Sequence, residues 1–197
     1  MLVTNIREVM NRREATRRRL QTTALELFIE RGFDKVTVEE IAAGAGVSHM
    51  TFYRNFPTKE AVVLDDPYDP LVATAVVNQD PGLSTLERVR RGVLEAFDQL
   101  DEPEDRTVRQ KVRLAAEHPG LRARVWENNL RTEEVIVQAL SESGTPSLEA
   151  GVAAGAVLGA LTAALFHWAV DDSGGPLGER IELALSLLAS TPQATTT

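Results

Sequence analysis

Between Thr37 and Lys59 the chain carries side chains suited to gripping a polyanion. Thr51 can donate to or accept from a base edge or a phosphate, and its methyl can meet a thymine methyl. Tyr53 holds a hydroxyl at the end of a rigid arm, the right shape for a phosphate oxygen. Arg54 and Lys59 add positive charge, and His49 and Met50 precede Thr51 directly. Thr37 offers a hydroxyl at a helix start, where free backbone N–H groups also favour an anion. Phe52 and Phe56 stand four apart and share one helix face, so both are expected to be core. That turns Met50, Thr51, Tyr53 and Arg54 outward together. The chemistry implied is contact with base edges and phosphates in a major groove.

Other chemistry finds little support. Cysteine is absent, which excludes thiolate nucleophiles, thiolate metal sites and disulfides. The three histidines, at 49, 118 and 167, lie on separate segments without paired metal spacing. No nucleophile elbow or phosphate loop is present. The adjacent Glu133 and Glu134 read as a solvated helix face. The expectation is a chain without catalytic residues, metal or cofactor.

Helices are expected to carry these side chains, because breakers separate long helical stretches and period-2 runs are scarce. A first helix is expected over 13–31, with Leu20, Ala24, Leu27 and Phe28 as its apolar stripe and Gly32 as its stop. Thr37-Val38-Glu39-Glu40 is a capping box opening a second helix, which Gly44-Ala45-Gly46 ends. Ser48 is an N-cap for a third helix reaching about Phe56. Pro57 stops it and Thr58 caps the next. Two short helices joined by a tight turn make a helix-turn-helix. The arginines at 12, 13, 17, 18 and 19 are candidates for flanking phosphates or the minor groove.

Asp65 to Pro70 reads as a break, so the chain divides into 1–64, a DNA-binding domain, and 65–197, a sensing and dimerising domain. Further helices are expected over 71–79, 84–100, 104–117, 120–142, 147–171 and 177–190, with a frayed Thr-rich tail after Pro192. Charge divides in the same way. Residues 1–64 carry +2 and the remainder −10, against a total of −8. A basic end on an acidic body steers DNA to one face. Gly151 to Val170 has no charged residue and is long enough to span a bilayer. Its residues are mostly Ala and Gly, which insert weakly, so a buried helix is expected and no membrane. The N-terminus shows no apolar segment of the secretory kind, and a cytoplasmic location is expected.

Residues 18–64 resemble the N-terminal domain of TetR-family repressors. The matching segments are Ala24-Leu25-Glu26-Leu27-Phe28, Arg31-Gly32-Phe33, Thr37 to Ala42, Ala45-Gly46-Val47-Ser48, Thr51 to Phe56 and Lys59-Glu60. The resemblance implies an all-α fold of about nine helices, a three-helix DNA-binding domain and a C-terminal helical domain. It also implies a homodimer on a near-palindromic operator, and DNA contacts at Thr37, His49, Met50, Thr51, Tyr53 and Lys59. Met50 departs from the small or polar residue usual there. The segment Val62 to Pro70, with Arg113-Leu114 and His118-Pro119-Gly120-Leu121-Arg122-Ala123-Arg124, resembles the mycofactocin-regulator type within this family. That implies an acyl-CoA or other lipid-like effector.

In the C-terminal part Gly151, Gly155 and Gly159 repeat every four residues, a spacing that lets helices approach closely. They are candidates for a dimer face, with packing inside the monomer as the alternative. Phe97, Trp126, Leu130, Phe166 and His167 are the candidate effector contacts, since such pockets combine apolar walls with few polar groups; each is also an ordinary core residue type. The helix following Thr58 is the expected link between the two domains.

Overall fold

A computed structural model describes residues 2–64, 69–99, 106–171 and 175–189, and the side chains within those spans except at 2–11 and 69–70. Its described elements are ten α-helices and one 3-10 turn, Phe33–Lys35, with no strand among them. The first four helices are α1 (Leu2–Arg31), α2 (Val38–Gly44), α3 (His49–Asn55) and α4 (Ala61–Leu64). Then come α5 (Asp69–Val77), α6 (Thr85–Asp98), α7 (Arg106–Glu117), α8 (Pro119–Glu142), α9 (Ser147–Val170) and α10 (Leu177–Ser186). The expected break after Leu64 and the Thr-rich tail fall largely on residues 65–68 and 190–197, outside the described residues. The count exceeds nine because α4 and α5 stand as separate pieces on either side of residues 65–68.

Local chemistry sets the boundaries of the first helices. Thr37 accepts a hydrogen bond from the N–H of Glu40, and the Glu40 carboxylate accepts one from the N–H of Thr37, closing the capping box. Ser48 likewise accepts from the N–H of Thr51 at the start of α3. Gly32 ends α1 at φ 85° and Gly46 makes the turn before α3 at φ 66°, a left-handed backbone that a side chain would strain. α1 starts eleven residues earlier than the expected 13–31. No glycine or proline interrupts Leu2 to Arg12, so nothing there stops the helix from propagating.

Leu20, Ala24 and Phe28 of α1 are buried with Ile41, Ala42, Phe52 and Phe56, and this makes the N-terminal core. Leu27 is only partly buried against it. Two buried residues from beyond position 64 join the same core: Ala115 of α7 and Leu121 of α8. The second core forms around α9, whose Ala150, Ala153, Ala154, Val157, Leu158 and Ala169 are buried against α6, α8 and α10. Apolar and long enough to cross a bilayer by length and composition, α9 serves here as the central helix of the C-terminal part. Arg109 caps its end, donating to the carbonyls of Trp168 and Asp171 with its guanidinium 5.1 Å from the Trp168 ring centroid.

α5 and α6 pack with almost no space between them. A Cβ on Gly92 would lie 2.6 Å from the Cα of Val76. Gly92→Ala should therefore destabilise the protein by about 1–3 kcal/mol through overpacking, against a helix-propensity gain of up to about 1 kcal/mol. Urea unfolding checks the sign, and a stabilised variant would mean that α5 and α6 can separate freely.

Candidate nucleic-acid interface

α3 presents its outer face as the sequence implies. Phe52 and Phe56 are fully buried, whereas Met50 is 65% and Tyr53 43% exposed. Arg54 is exposed too. Thr51 is half-buried, with its hydroxyl 2.9 Å from that of Ser48, so one hydroxyl valence is already engaged locally. His49 is exposed, packs edge-on against the Tyr53 ring at 4.8 Å, and sits 3.6 Å from the Glu39 carboxylate. It therefore lies on the outer face with Tyr53.

Thr37 begins α2 with an exposed side chain. The carboxyl of Glu40 is held below the ordinary glutamate range, first by the N–H of Thr37 and then by the Arg31 guanidinium at 2.7 Å. Lys59 is partly engaged within the fold. It precedes α4, and its Nζ donates to the carbonyls of Phe33 at 2.9 Å and Val36 at 3.0 Å, 4.3 Å from the Phe33 ring centroid. Two of its three N–H bonds are thus spent on the fold, leaving one for a phosphate.

The arginines of α1 take different roles. Arg17 donates to the carbonyl of Asn55 at 2.7 Å and lies 4.3 Å above the Phe56 ring. It pins the C-terminal end of α3 onto α1. Burial, and then the nearby Arg13 charge, lower its pKa, yet a guanidinium remains charged at neutral pH. Arg18 pairs with Glu14, while Arg12, Arg13 and Arg19 are exposed. The clamp made by Arg17 left no signal in the sequence beyond its membership in a basic run.

The candidate effector contacts are divided. Phe97 packs half-buried on the C-terminal core, and Phe166 packs on the N-terminal one with the Arg122 guanidinium 5.7 Å from its ring centroid. Trp126 is 47% and Leu130 59% exposed on α8. His167 is exposed, 3.9 Å from Asp171 and 3.4 Å from Arg180. A cleft of about 330 Å³ lies between α1 and α7, lined by Leu25, Ile29, Thr22, Glu26, Arg106 and Gln110 among others, and none of Phe97, Trp126, Leu130, Phe166 and His167 lines it. The glycine stripe is divided as well. A Cβ on Gly151 or Gly155 would meet Glu133 of α8 in the same chain, at 3.8 and 3.4 Å, while one on Gly159 would meet nothing within 4 Å.

Two family models match this arrangement. Residues 21–65 match the bacterial regulatory proteins of the tetR family, and residues 83–193 match the MftR C-terminal domain. A candidate mycofactocin biosynthesis transcriptional regulator, MftR of Mycobacterium tuberculosis, is 29% identical over 84% of this chain and 85% of its own. The transcriptional regulator EthR of Mycolicibacterium smegmatis is 37% identical over 36% of this chain and 35% of its own. Among solved structures, a SmeT–triclosan complex aligns over 88% of this chain and 89% of its own, with a TM-score of 0.59 at 19% identity. The TetR-family repressor FadR of Thermus thermophilus, in complex with lauroyl-CoA, aligns over 89% of this chain and 97% of its own, with a TM-score of 0.50 at 26% identity. These families and relatives are transcriptional regulators, not enzymes. The chain belongs to the tetR family of bacterial regulatory proteins, and its C-terminal domain is of the MftR type.

Proposed function

We propose that this regulator is a cytoplasmic, homodimeric repressor that binds a near-palindromic operator and is released from it by a small hydrophobic effector of the acyl-CoA or lipid-like class. The observation that carries the reading is the shared outward face of α3. Met50, Tyr53 and Arg54 stand exposed there, His49 stands beside Tyr53, and Thr51 is half-exposed. Thr37 and the remaining N–H of Lys59 supply phosphate contacts beside that face. Exposed apolar side chains on α9 and on and just after α10, Val152, Leu183 and Leu187 among them, supply the dimer surface together with Gly159. Support for the effector class comes from the similarity to FadR bound to lauroyl-CoA.

Two α3 helices must then sit about one turn of DNA apart, roughly 34–36 Å. An effector that favours a different spacing shifts the population away from DNA, and by linkage DNA weakens the effector equally. Lauroyl-CoA is the first probe. In a titration of the protein on its selected duplex, DNA affinity should fall with salt as phosphate contacts predict, and it should fall again when lauroyl-CoA is added. Tight lauroyl-CoA binding without any change in DNA affinity would refute the coupling. Absence of DNA binding at low salt by folded dimer would favour a helical adaptor.

A further inference from the structure

His118 lies outside the DNA-contacting face and at the corner between α7 and α8, within the His118-Pro119-Gly120-Leu121 segment. Its Nδ1 accepts the N–H of Leu121 at 3.2 Å, capping α8. A nitrogen that accepts carries no proton, so in the neutral ring the proton is on Nε2. That nitrogen is 3.1 Å from the Asp34 carboxylate, 84 positions away in the chain, and so donates to it. The His118 ring also packs on the Phe33 ring, centroids 4.8 Å apart. Only 23% of the His118 side chain is exposed.

The turn it holds has a defined load. Phe33 and Val36 offer the two carbonyls that fix Lys59, and the Phe33 ring lies against the same ammonium. One residue further on, Thr37 opens α2. The segment 33–37 thus carries one proposed phosphate contact and anchors the other.

We infer that His118 is a positioning residue for DNA binding: from the effector domain it holds the 33–37 turn, and with it Thr37 and Lys59, in place against the phosphate backbone. The inference rests on the proposed operator-binding function and deepens it, because it separates what the α7–α8 corner controls from what α3 controls. Movement of the corner alters backbone grip, while base readout by α3 stays as it is. Asp34 is 82% exposed, so the ion pair alone contributes little. Its part is to fix the tautomer and rotation of a ring whose main contact is Phe33.

The test uses the full chain and two variants. His118→Asn keeps a side-chain acceptor at the N-cap of α8, so the helix stays capped, but it loses both the ring and the reach to Asp34. Asp34→Ala removes only the exposed carboxylate. In free protein, amide hydrogen exchange at Lys35 and Thr37 should quicken in both variants, more in His118→Asn. On the duplex selected by the wild type, affinity of His118→Asn should fall roughly threefold to tenfold, as expected for one lost aromatic pair. Its plot of log affinity against log salt should be shallower by about one phosphate contact. The base sequence it selects should be unchanged. Wild-type exchange and an unchanged salt slope in His118→Asn would overturn the inference, as would an altered base preference. If the wild type itself selects no duplex, the operator-binding reading falls, and the exchange result still decides whether His118 holds the turn.

Discussion

Leu183→Glu, Leu187→Glu should convert the proposed dimer into folded monomers and cut operator affinity by about 100-fold or more. Leu183 is 60% and Leu187 78% exposed on and just after α10, so neither substitution removes a buried contact within one chain. The neighbouring helix adds Leu148 at 81% and Val152 at 65% exposure, together with the open flank of Gly159. α9 and α10 pack on each other, and exposed apolar side chains on adjoining helices offer an interaction surface. A second copy would bury them, and four new carboxylates in that interface would have no partners. Affinity falls with the dimer because two linked recognition helices bind two half-sites at high effective concentration. Light scattering coupled to chromatography reads the mass, and circular dichroism confirms retained helix. A variant that remains a dimer would place the interface elsewhere.

Phe56→Ala should unfold the DNA-binding end while leaving the C-terminal core folded. Phe56 is fully buried, its ring 6.0 Å from that of Phe52, and Arg17 rests on it while holding the Asn55 carbonyl. Truncating such a side chain costs about 3–5 kcal/mol. That is a large part of the 5–15 kcal/mol typical of a whole domain. The variant loses the floor of α3 and the cation's platform together, so sequence-specific binding disappears. The core around α9 contains none of these residues. Calorimetry should show an early transition, absent from the wild type, followed by unfolding of the remainder. A single transition shifted by less than about 1 kcal/mol would mean that α3 is not supported by this ring.

Where local chemistry decides the structure, the sequence is readable. Thr37 and Ser48 announce α2 and α3 because a cap is a contact between residues three apart. Phe52 and Phe56 announce their burial because a helix face repeats every three to four residues. Gly32 and Gly46 mark the ends because a left-handed backbone favours glycine. Contacts distant in sequence are another matter. Nothing near Lys59 says that its ammonium will turn onto carbonyls more than twenty positions earlier. Arg17 looks like its neighbours at 18 and 19, yet folding alone brings it to Asn55. His118 stood out only as part of a short segment, and its contact with Asp34 depends on how α8 meets the N-terminal core. The link between domains shows the same limit. Thr58 does cap the turn into α4, accepting from Ala61. A second contact, through Ala115, His118 and Leu121, is visible only in the fold.

The effector residues were harder still. Large side chains on middle helices are candidates by type, but type does not say which core they join. Phe97 and Phe166 pack against different cores. Trp126 and Leu130 lie on the outer side of α8. A pocket is a property of helix spacing, and one strand of sequence does not encode spacing in any local pattern.

In the proposed function α3 reads operator DNA. Selection of bound sequences from random duplex DNA by purified protein tests it most directly, with a Tyr53→Ala, Arg54→Ala variant run in parallel. Both side chains are exposed, so the variant should keep its fold. The wild type should recover a near-palindrome with half-sites about one turn of DNA apart, and the variant should lose this enrichment. Failure of the folded wild-type dimer to enrich any sequence at low salt, or equal enrichment by the variant, would contradict it.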